Sequence, residues 1–226
     1  MQIYAELNPK KDLEKIKEVA NRLWEYDGFD LPHSPLGLPS MPPEVMACSL
    51  RDAGYTKRII VNQRVIDYNE LHLRSLLLAA KALQFDLAIT MGDKPKYGEG
   101  VNQLTSQGAL KIAKNLEPSI GVGLFISMRK SREEISERLR SEADFFLTMR
   151  VSRASDLIGF RVEKMIPYVL IRTEKNAGIL DSIGQPNITL DGLRDSIDDL
   201  RSIGVNAIII SAPGDEDSLT AALKYL

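Results

Sequence analysis

Gln2-Ile3-Tyr4-Ala5-Glu6-Leu7, closed by Asn8-Pro9-Lys10, is followed by Leu13, Ile16, Val19, Ala20 and Leu23 at three- and four-residue spacing. This opening decides the fold. A short run of strand-forming residues, a turn, and then an amphipathic helix make one β-α unit. The same unit recurs along the chain. Candidate strands lie at Gln2 to Leu7, Gly28 to Leu31, Arg58 to Asn62, Asp86 to Met91, Ser119 to Ile126, Phe145 to Val151, Met165 to Ile171 and Ala207 to Ser211, with helical periodicity between them. Alternating β and α elements imply a parallel sheet, because right-handed crossovers return each strand in the same direction. Eight units favour closure over an open doubly wound sheet. The reading is a single α/β domain spanning 1–226, a (β/α)8 TIM barrel.

Local signals support the helices. Ser131-Arg132-Glu133-Glu134 has the spacing of a capping box, and Asn69 precedes the leucine- and alanine-rich segment Glu70 to Leu83 as its expected N-cap. Gly121 and Gly123 inside the fifth strand suggest close packing or a bend. Leu31 to Pro43, with five prolines among thirteen residues, reads as a long loop.

The 226 residues are 44% hydrophobic, and 29 basic residues nearly balance 31 acidic ones, for a net charge of -2. No basic stripe points to nucleic acid. No apolar run is long enough to cross a bilayer and no leader pattern opens the chain, so the expected location is the cytoplasm. The single cysteine, Cys48, follows Val45-Met46-Ala47 and reads as a buried, inert thiol. With two histidines, His33 and His72, and no Cys/His spacing, no metal site is expected.

In such a barrel the loops after the strands converge on one face, which holds the active site. Those positions supply Glu6, Asn8, His33, Asn62, Arg64, Asp93, Lys94, Arg129, Thr148, Arg150, Arg172, Ser211 and Asp215. Acids and cations meeting at one mouth suit a polar, partly anionic small molecule. Glu6 shares its strand face with Gln2 and Tyr4. If that face is the barrel interior, burial raises the carboxyl pKa and makes Glu6 a general acid; the competing reading is a salt bridge to a neighbouring strand. Gly92-Asp93 ends the fourth strand, as a turn or as a charge beside a ligand. Lys94 to Gly100 reads as a mobile loop over the mouth, and Asp215 as a cap for the last helix.

These residues, in this order, resemble the methylenetetrahydrofolate reductase family. Ala5-Glu6-Leu7-Asn8-Pro9-Lys10 resembles its first-strand motif, Asp67-Tyr68-Asn69 the segment after its third strand, Ile89-Thr90-Met91-Gly92-Asp93-Lys94-Pro95 its Leu-Arg-Gly-Asp-Pro motif, and Asp144 to Met149 its sixth strand. The similarity is collinear over about two thirds of the chain. It implies an oxidoreductase of one-carbon metabolism that reduces a methylene-tetrahydropterin, such as a reduced folate, to the methyl form by hydride transfer. Glu6 matches the general acid and Asp93 the residue supporting the cationic intermediate. By position, Asn62, Thr90, Met91 and Gly92 fall on the cofactor's side, and Asp93, Thr148 and Met149 on the substrate's. Met149 stands where the family has a glutamine, Met91 where it has an arginine, and the family's acidic flavin contact has no counterpart. FAD is the cofactor the family implies; a deazaflavin or NAD(P)H used directly fits these departures. The alternative is a non-redox pterin-binding barrel or a subunit of a C1-transfer complex, and either reading accommodates a homo-oligomer.

Overall fold

Each apolar run identified above forms a strand in the computed structural model, which describes residues 1–226. The strands are β1 (Gln2–Glu6), β2 (Gly28–Leu31), β3 (Arg58–Arg64), β4 (Asp86–Thr90), β5 (Val122–Ser127), β6 (Phe146–Met149), β7 (Met165–Leu170) and β8 (Ala207–Ser211). They form a closed barrel in chain order, all pairs parallel, and β8 returns to β1 with Tyr4 opposite Ile209. The helices are α1 (Leu13–Arg22), α2 (Pro43–Asp52), α3 (Glu70–Leu83), α4 (Ser106–Leu116), α5 (Arg132–Leu139), α6 (Ala177–Ile183), α7 (Leu193–Ser202) and α8 (Glu216–Ala222). The alternation has one irregularity. Two short 3₁₀ turns replace a helix between β6 and β7, and two helices, α6 and α7, join β7 to β8.

Because successive strand residues face opposite sides, each strand feeds two cores. Outward residues such as Phe29, Ile59, Val61, Leu87 and Leu124 pack with Ile16, Leu23, Met46, Leu77 and Ala113 of the helices. Inward residues, among them Tyr4, Ile60, Ala88, Leu147, Ile166, Tyr168 and Ile209, fill the barrel. Two glycines make this filling possible. A Cβ on Gly123 would stand 2.3 Å from the Phe145 ring, and one on Gly28 would stand 2.5 Å from the Arg58 carbonyl oxygen.

Both expected caps are formed. The Asn69 side chain accepts from the His72 backbone N–H at 3.0 Å, and Ser131 and Glu134 make the reciprocal pair, at 3.2 and 3.0 Å. Asp215 precedes α8, but its side chain does not cap the helix backbone; its carboxylate accepts from the Ser218 hydroxyl at 2.8 Å and pairs with Lys175 at 3.3 Å. Cys48 is exposed rather than buried. On α2 the core takes Met46, Ala47 and Leu50, which turns Val45 and Cys48, three residues apart, toward solvent.

Candidate active site at the barrel mouth

β1 and β2 lie in register with Glu6 opposite Asp30, so the two carboxyls are neighbours on the inward face. Ser211, at the end of β8, donates its hydroxyl to Glu6 Oε2. Asp30 is fully buried. Its Oδ2 accepts from the Tyr168 hydroxyl at 2.8 Å and from Asn62 Nδ2 at 3.1 Å, while its Oδ1 has no partner. No arginine or lysine pairs with either acid, so the salt-bridge reading of Glu6 falls away.

The electrostatics follow from that isolation. Burial raises the Glu6 carboxyl above the ordinary glutamate range, against a smaller downward pull from the Ser211 hydrogen bond. Burial, then the neighbouring charge of Glu6, push Asp30 well above its usual value, and the hydrogen bonds from Tyr168 and Asn62 only partly offset this. Two unpaired carboxyls side by side in low dielectric retain protons that free carboxyls would lose.

β3 runs two residues beyond the expected Asn62, pairing Gln63 with Ile89 and Arg64 with Thr90. The polar tail remains in the sheet because its inward donors have acceptors, Asn62 Nδ2 on Asp30 and the Arg64 guanidinium on Asp67. Asn62 is therefore a floor residue bonded to Asp30, and Arg64 stands at the strand end. Only 4% exposed, Arg64 pairs with Asp67 at 2.7 Å and donates to the Ser34 carbonyl at 2.7 Å and the Asp93 carbonyl at 2.6 Å. It thus ties together the loops after β2, β3 and β4. Gly92, at φ 87°, packs directly on the Arg64 stem, where a Cβ would come within 2.9 Å of Nε. The segment after Asp93 is held down as well: Lys96 N–H donates to the Gly37 carbonyl at 2.9 Å and Val101 N–H to the Ile66 carbonyl at 2.7 Å. The loop expected over the mouth is thus tied to the loops after β2 and β3.

The other expected site residues divide. Asp93 is exposed on the rim, its charge felt by Arg150. The Thr90 hydroxyl accepts from Gly92 N–H at 3.4 Å, Met91 is 40% exposed, and Met149 packs on the inner core. Thr148 is misplaced by the sequence reading. It shares the outward parity of Phe146, is completely buried, and donates to the Phe146 carbonyl at 3.1 Å, so it does not face the mouth. His33 is also committed elsewhere: its Nε2 bonds the Tyr68 hydroxyl at 3.1 Å, and Tyr68 stacks on His72 at 3.7 Å. Burial pushes the His33 pKa down to about 4. Arg172 is held bidentately by Asp181, at 2.7 and 3.1 Å.

Beside the mouth, a groove of about 380 Å³ between the loops after β5 and β6 is lined by Met128, Lys130, Arg132, Arg150, Ser152 and Phe160. Its acid, Asp156, already accepts from the Ser152 and Arg153 backbone N–H groups at 2.8 and 3.1 Å. Arg150 takes the left-handed conformation at φ 66° and donates to the Ile183 and Gly184 carbonyls, and burial, then the nearby charge of Arg129, disfavour its own charge. A non-glycine residue held there is strained, a feature that clusters at ligand sites. This groove has the charge and size to hold the anionic part of a cofactor.

No family model matches the chain, and no curated protein does. Solved structures do. A 2,3-dimethylmalate lyase of the PEP mutase/isocitrate lyase superfamily aligns at TM-score 0.59 and 12% identity over 98% of this chain and 78% of that one. The apo homocysteine methyltransferase of Escherichia coli aligns at 0.58 and 11%, covering 100% and 96%. DHPS of Yersinia pestis, bound to a pterine-sulfa conjugate, aligns at 0.55 and 10%, covering 99% and 91%. At these identities the likeness is one of fold, and it agrees with the (β/α)8 barrel.

Proposed function

We propose that this chain is an oxidoreductase of one-carbon metabolism that reduces a methylene-tetrahydropterin to its methyl form, as its resemblance to the methylenetetrahydrofolate reductases implies. The observation that carries the reading is Glu6: a carboxyl at the end of β1, without a cation, held by Ser211 and raised in pKa by burial. A reduced pterin with a bridging methylene needs a proton on one bridge nitrogen. Glu6 supplies it; the C–N bond breaks with its electron pair going to that nitrogen, and a methylene iminium cation remains. Asp93, on the rim after β4, adds negative charge on the side where positive charge develops, in the role that the family motif assigns it.

The hydride that completes the reduction would come from FAD, a deazaflavin or NAD(P)H. Lys130, Arg132 and Arg150 would neutralise the phosphates of any of the three, and Met91 and Gly92 lie on the adjoining rim. The pterine conjugate bound by the Yersinia DHPS supports the choice of substrate, since a barrel of this architecture takes such a ring. The apolar Met149 at the substrate position favours a second reading, a barrel that binds a pterin without reducing it, alone or as a subunit of a C1-transfer complex.

One set of measurements separates these. Purified protein is titrated with methylene- and methyl-tetrahydropterins and with FAD, deazaflavin and NAD(P)H, and turnover is followed at the reduced donor's absorbance. The reductase reading expects turnover, lowered at least ~100-fold in Glu6→Gln, and weaker pterin binding in Asp93→Ala. Binding without turnover supports the second reading. Absence of pterin binding under every condition sinks both.

A further inference from the structure

Asp30 is absent from every motif above, yet it has the least usual environment in the protein. A buried carboxyl normally has a cation or a full set of donors. Asp30 has neither. Its Oδ2 is saturated by Tyr168 and Asn62, while Oδ1, equally buried, has nothing. Of its two neighbours in register on the same inward face, Ile60 is apolar and Glu6 is the one that carries charge. An ionised pair would place two negative charges on adjacent strands, spaced about 4.8 Å apart in a sheet, with no positive charge between them. A single proton on Asp30 Oδ1 removes both difficulties, because it cancels one charge and its O–H can donate to the Glu6 carboxylate.

We propose that Glu6 and Asp30 share one proton through Asp30 Oδ1, so that the acid of this site is the pair rather than Glu6 alone. Asp30 is its buried, positioning member and Glu6 the member that meets substrate. The assignment of direction rests on Glu6 as proton donor in the reaction above; the shared proton itself does not. When that proton passes by way of Glu6 to the substrate nitrogen, the pair is left with two negative charges. Three donors are already aimed at that product state, Ser211 at Glu6 and Tyr168 and Asn62 at Asp30. The dianion then faces the iminium cation that the same step creates. This gives the cation a counter-charge inside the mouth, whereas Asp93 on the rim already shares its field with Arg150.

The groups facing Asp30 are few. β1 brings Glu6, β7 brings Tyr168, β3 brings Asn62, and β8 brings Ser211 to Glu6. Arg64, one inward step above Asn62, is committed to Asp67 and two carbonyls, and Arg58, at the other end of the barrel, to Asp86 and Tyr4. Neither neutralises the pair.

The test is infrared spectroscopy of the whole protein, with and without [4-13C]aspartate. At neutral pH the spectrum should show the carbonyl band of a protonated carboxylic acid that shifts with the aspartate label and disappears on alkaline titration. In Asp30→Asn, which keeps the shape and can still hydrogen bond, that band should vanish. The alkaline limit of turnover should also fall by about one pH unit or more, as Glu6 loses its like-charged neighbour. A purely structural Asp30 would move neither reading. An absent band, or one insensitive to the aspartate label, overturns the proposal, and the labelled wild-type protein decides this even if the variant does not fold. Because no substrate is needed, the shared proton can stand while the reductase reading fails, and the reverse.

Discussion

Replacing Arg64 by Met removes one charge and three ties while keeping most of the buried stem. In the native protein the guanidinium is 4% exposed and pairs at 2.7 Å with Asp67, whose side chain is 23% exposed. Deleting one partner of a buried pair generally costs about 3–5 kcal/mol, since the other charge loses its compensation. Water already reaches Asp67, which places the cost near the lower limit, about 3 kcal/mol. The Ser34 and Asp93 carbonyls lose short hydrogen bonds too, but both lie in loops that can rehydrate. For a domain of this size each kcal/mol lowers Tm by roughly 2–4 °C, so the expected drop is roughly 6–12 °C. Arg64→Lys should recover part of it, because an ammonium can keep the ion pair but cannot fork to three acceptors. Urea unfolding supplies the free energy, with an unchanged m-value showing that the unfolded state is not what moved. Proteolysis of the folded protein should meanwhile accelerate between Asp93 and Thr105. A loss below ~1 kcal/mol, with native protease resistance, would refute the view that Arg64 holds the mouth loops together.

Other consequences are equally direct. Tyr168→Phe removes the 2.8 Å hydrogen bond to Asp30; it should cost about 1 kcal/mol while Asp30 is protonated and about 1.5–3 kcal/mol where it is ionised, a difference readable by denaturation at neutral and alkaline pH. Gly123→Ala places a methyl 2.3 Å from the Phe145 ring and should cost about 1–3 kcal/mol by overpacking, with the double variant Gly123→Ala/Phe145→Leu recovering much of it in the same unfolding assay. On the acid side, His33 is depressed to about 4 in the folded chain. The unfolded chain therefore binds its proton first, and stability present above about pH 6.5 is lost as pH falls toward 4, by up to roughly 3 kcal/mol; His33→Gln should flatten that limb. Glu6 and Asp30 act with the opposite sign, because their raised values mean that the folded state holds protons the unfolded state has released. Their contribution falls as pH rises from about 4 through the folded values, and Asp30→Asn should reduce that decline.

The barrel was readable because its signal is repetitive and coarse. Each apolar run followed by a helix period marks one unit, and an error of a residue or two at a boundary leaves the count intact. The site depends on finer information. Asp30 lies in Gly28-Phe29-Asp30-Leu31, a strand of four residues, too short to display an alternation that would assign its face. Tyr168 lies within Met165-Ile166-Pro167-Tyr168-Val169-Leu170, apolar on both faces, where period two is invisible. Thr148 and Met149 show the cost of that ambiguity: the resemblance places both at the substrate, yet adjacent strand residues face opposite ways, and the structure turns Thr148 outward. Asn62 reads as a strand end, because the polar triplet Asn62-Gln63-Arg64 resembles a loop until the pairing with β4 is seen.

What joins these misses is that each concerns a polar group whose justification lies on another strand. Asn62 is tolerable in the barrel because Asp30 accepts from it, and Asp30 because Tyr168 donates to it, across strands that are 106 residues apart in the case of Asn62 and Tyr168. A core built for stability alone would fill these positions with aliphatic side chains, since a satisfied polar network is at best close to neutral against good apolar packing. This one, moreover, is incompletely satisfied: Asp30 Oδ1 and Asn62 Oδ1 are both buried without partners. Both atoms lie at the end of the barrel where Glu6 is held, whereas the opposite end closes with Arg58 paired to Asp86 at 2.7 Å and stacked over Phe145. Two ends of one barrel thus follow different rules. The paired end is where a folding domain would place its charges; the unpaired end makes physical sense only if a proton or a ligand completes it.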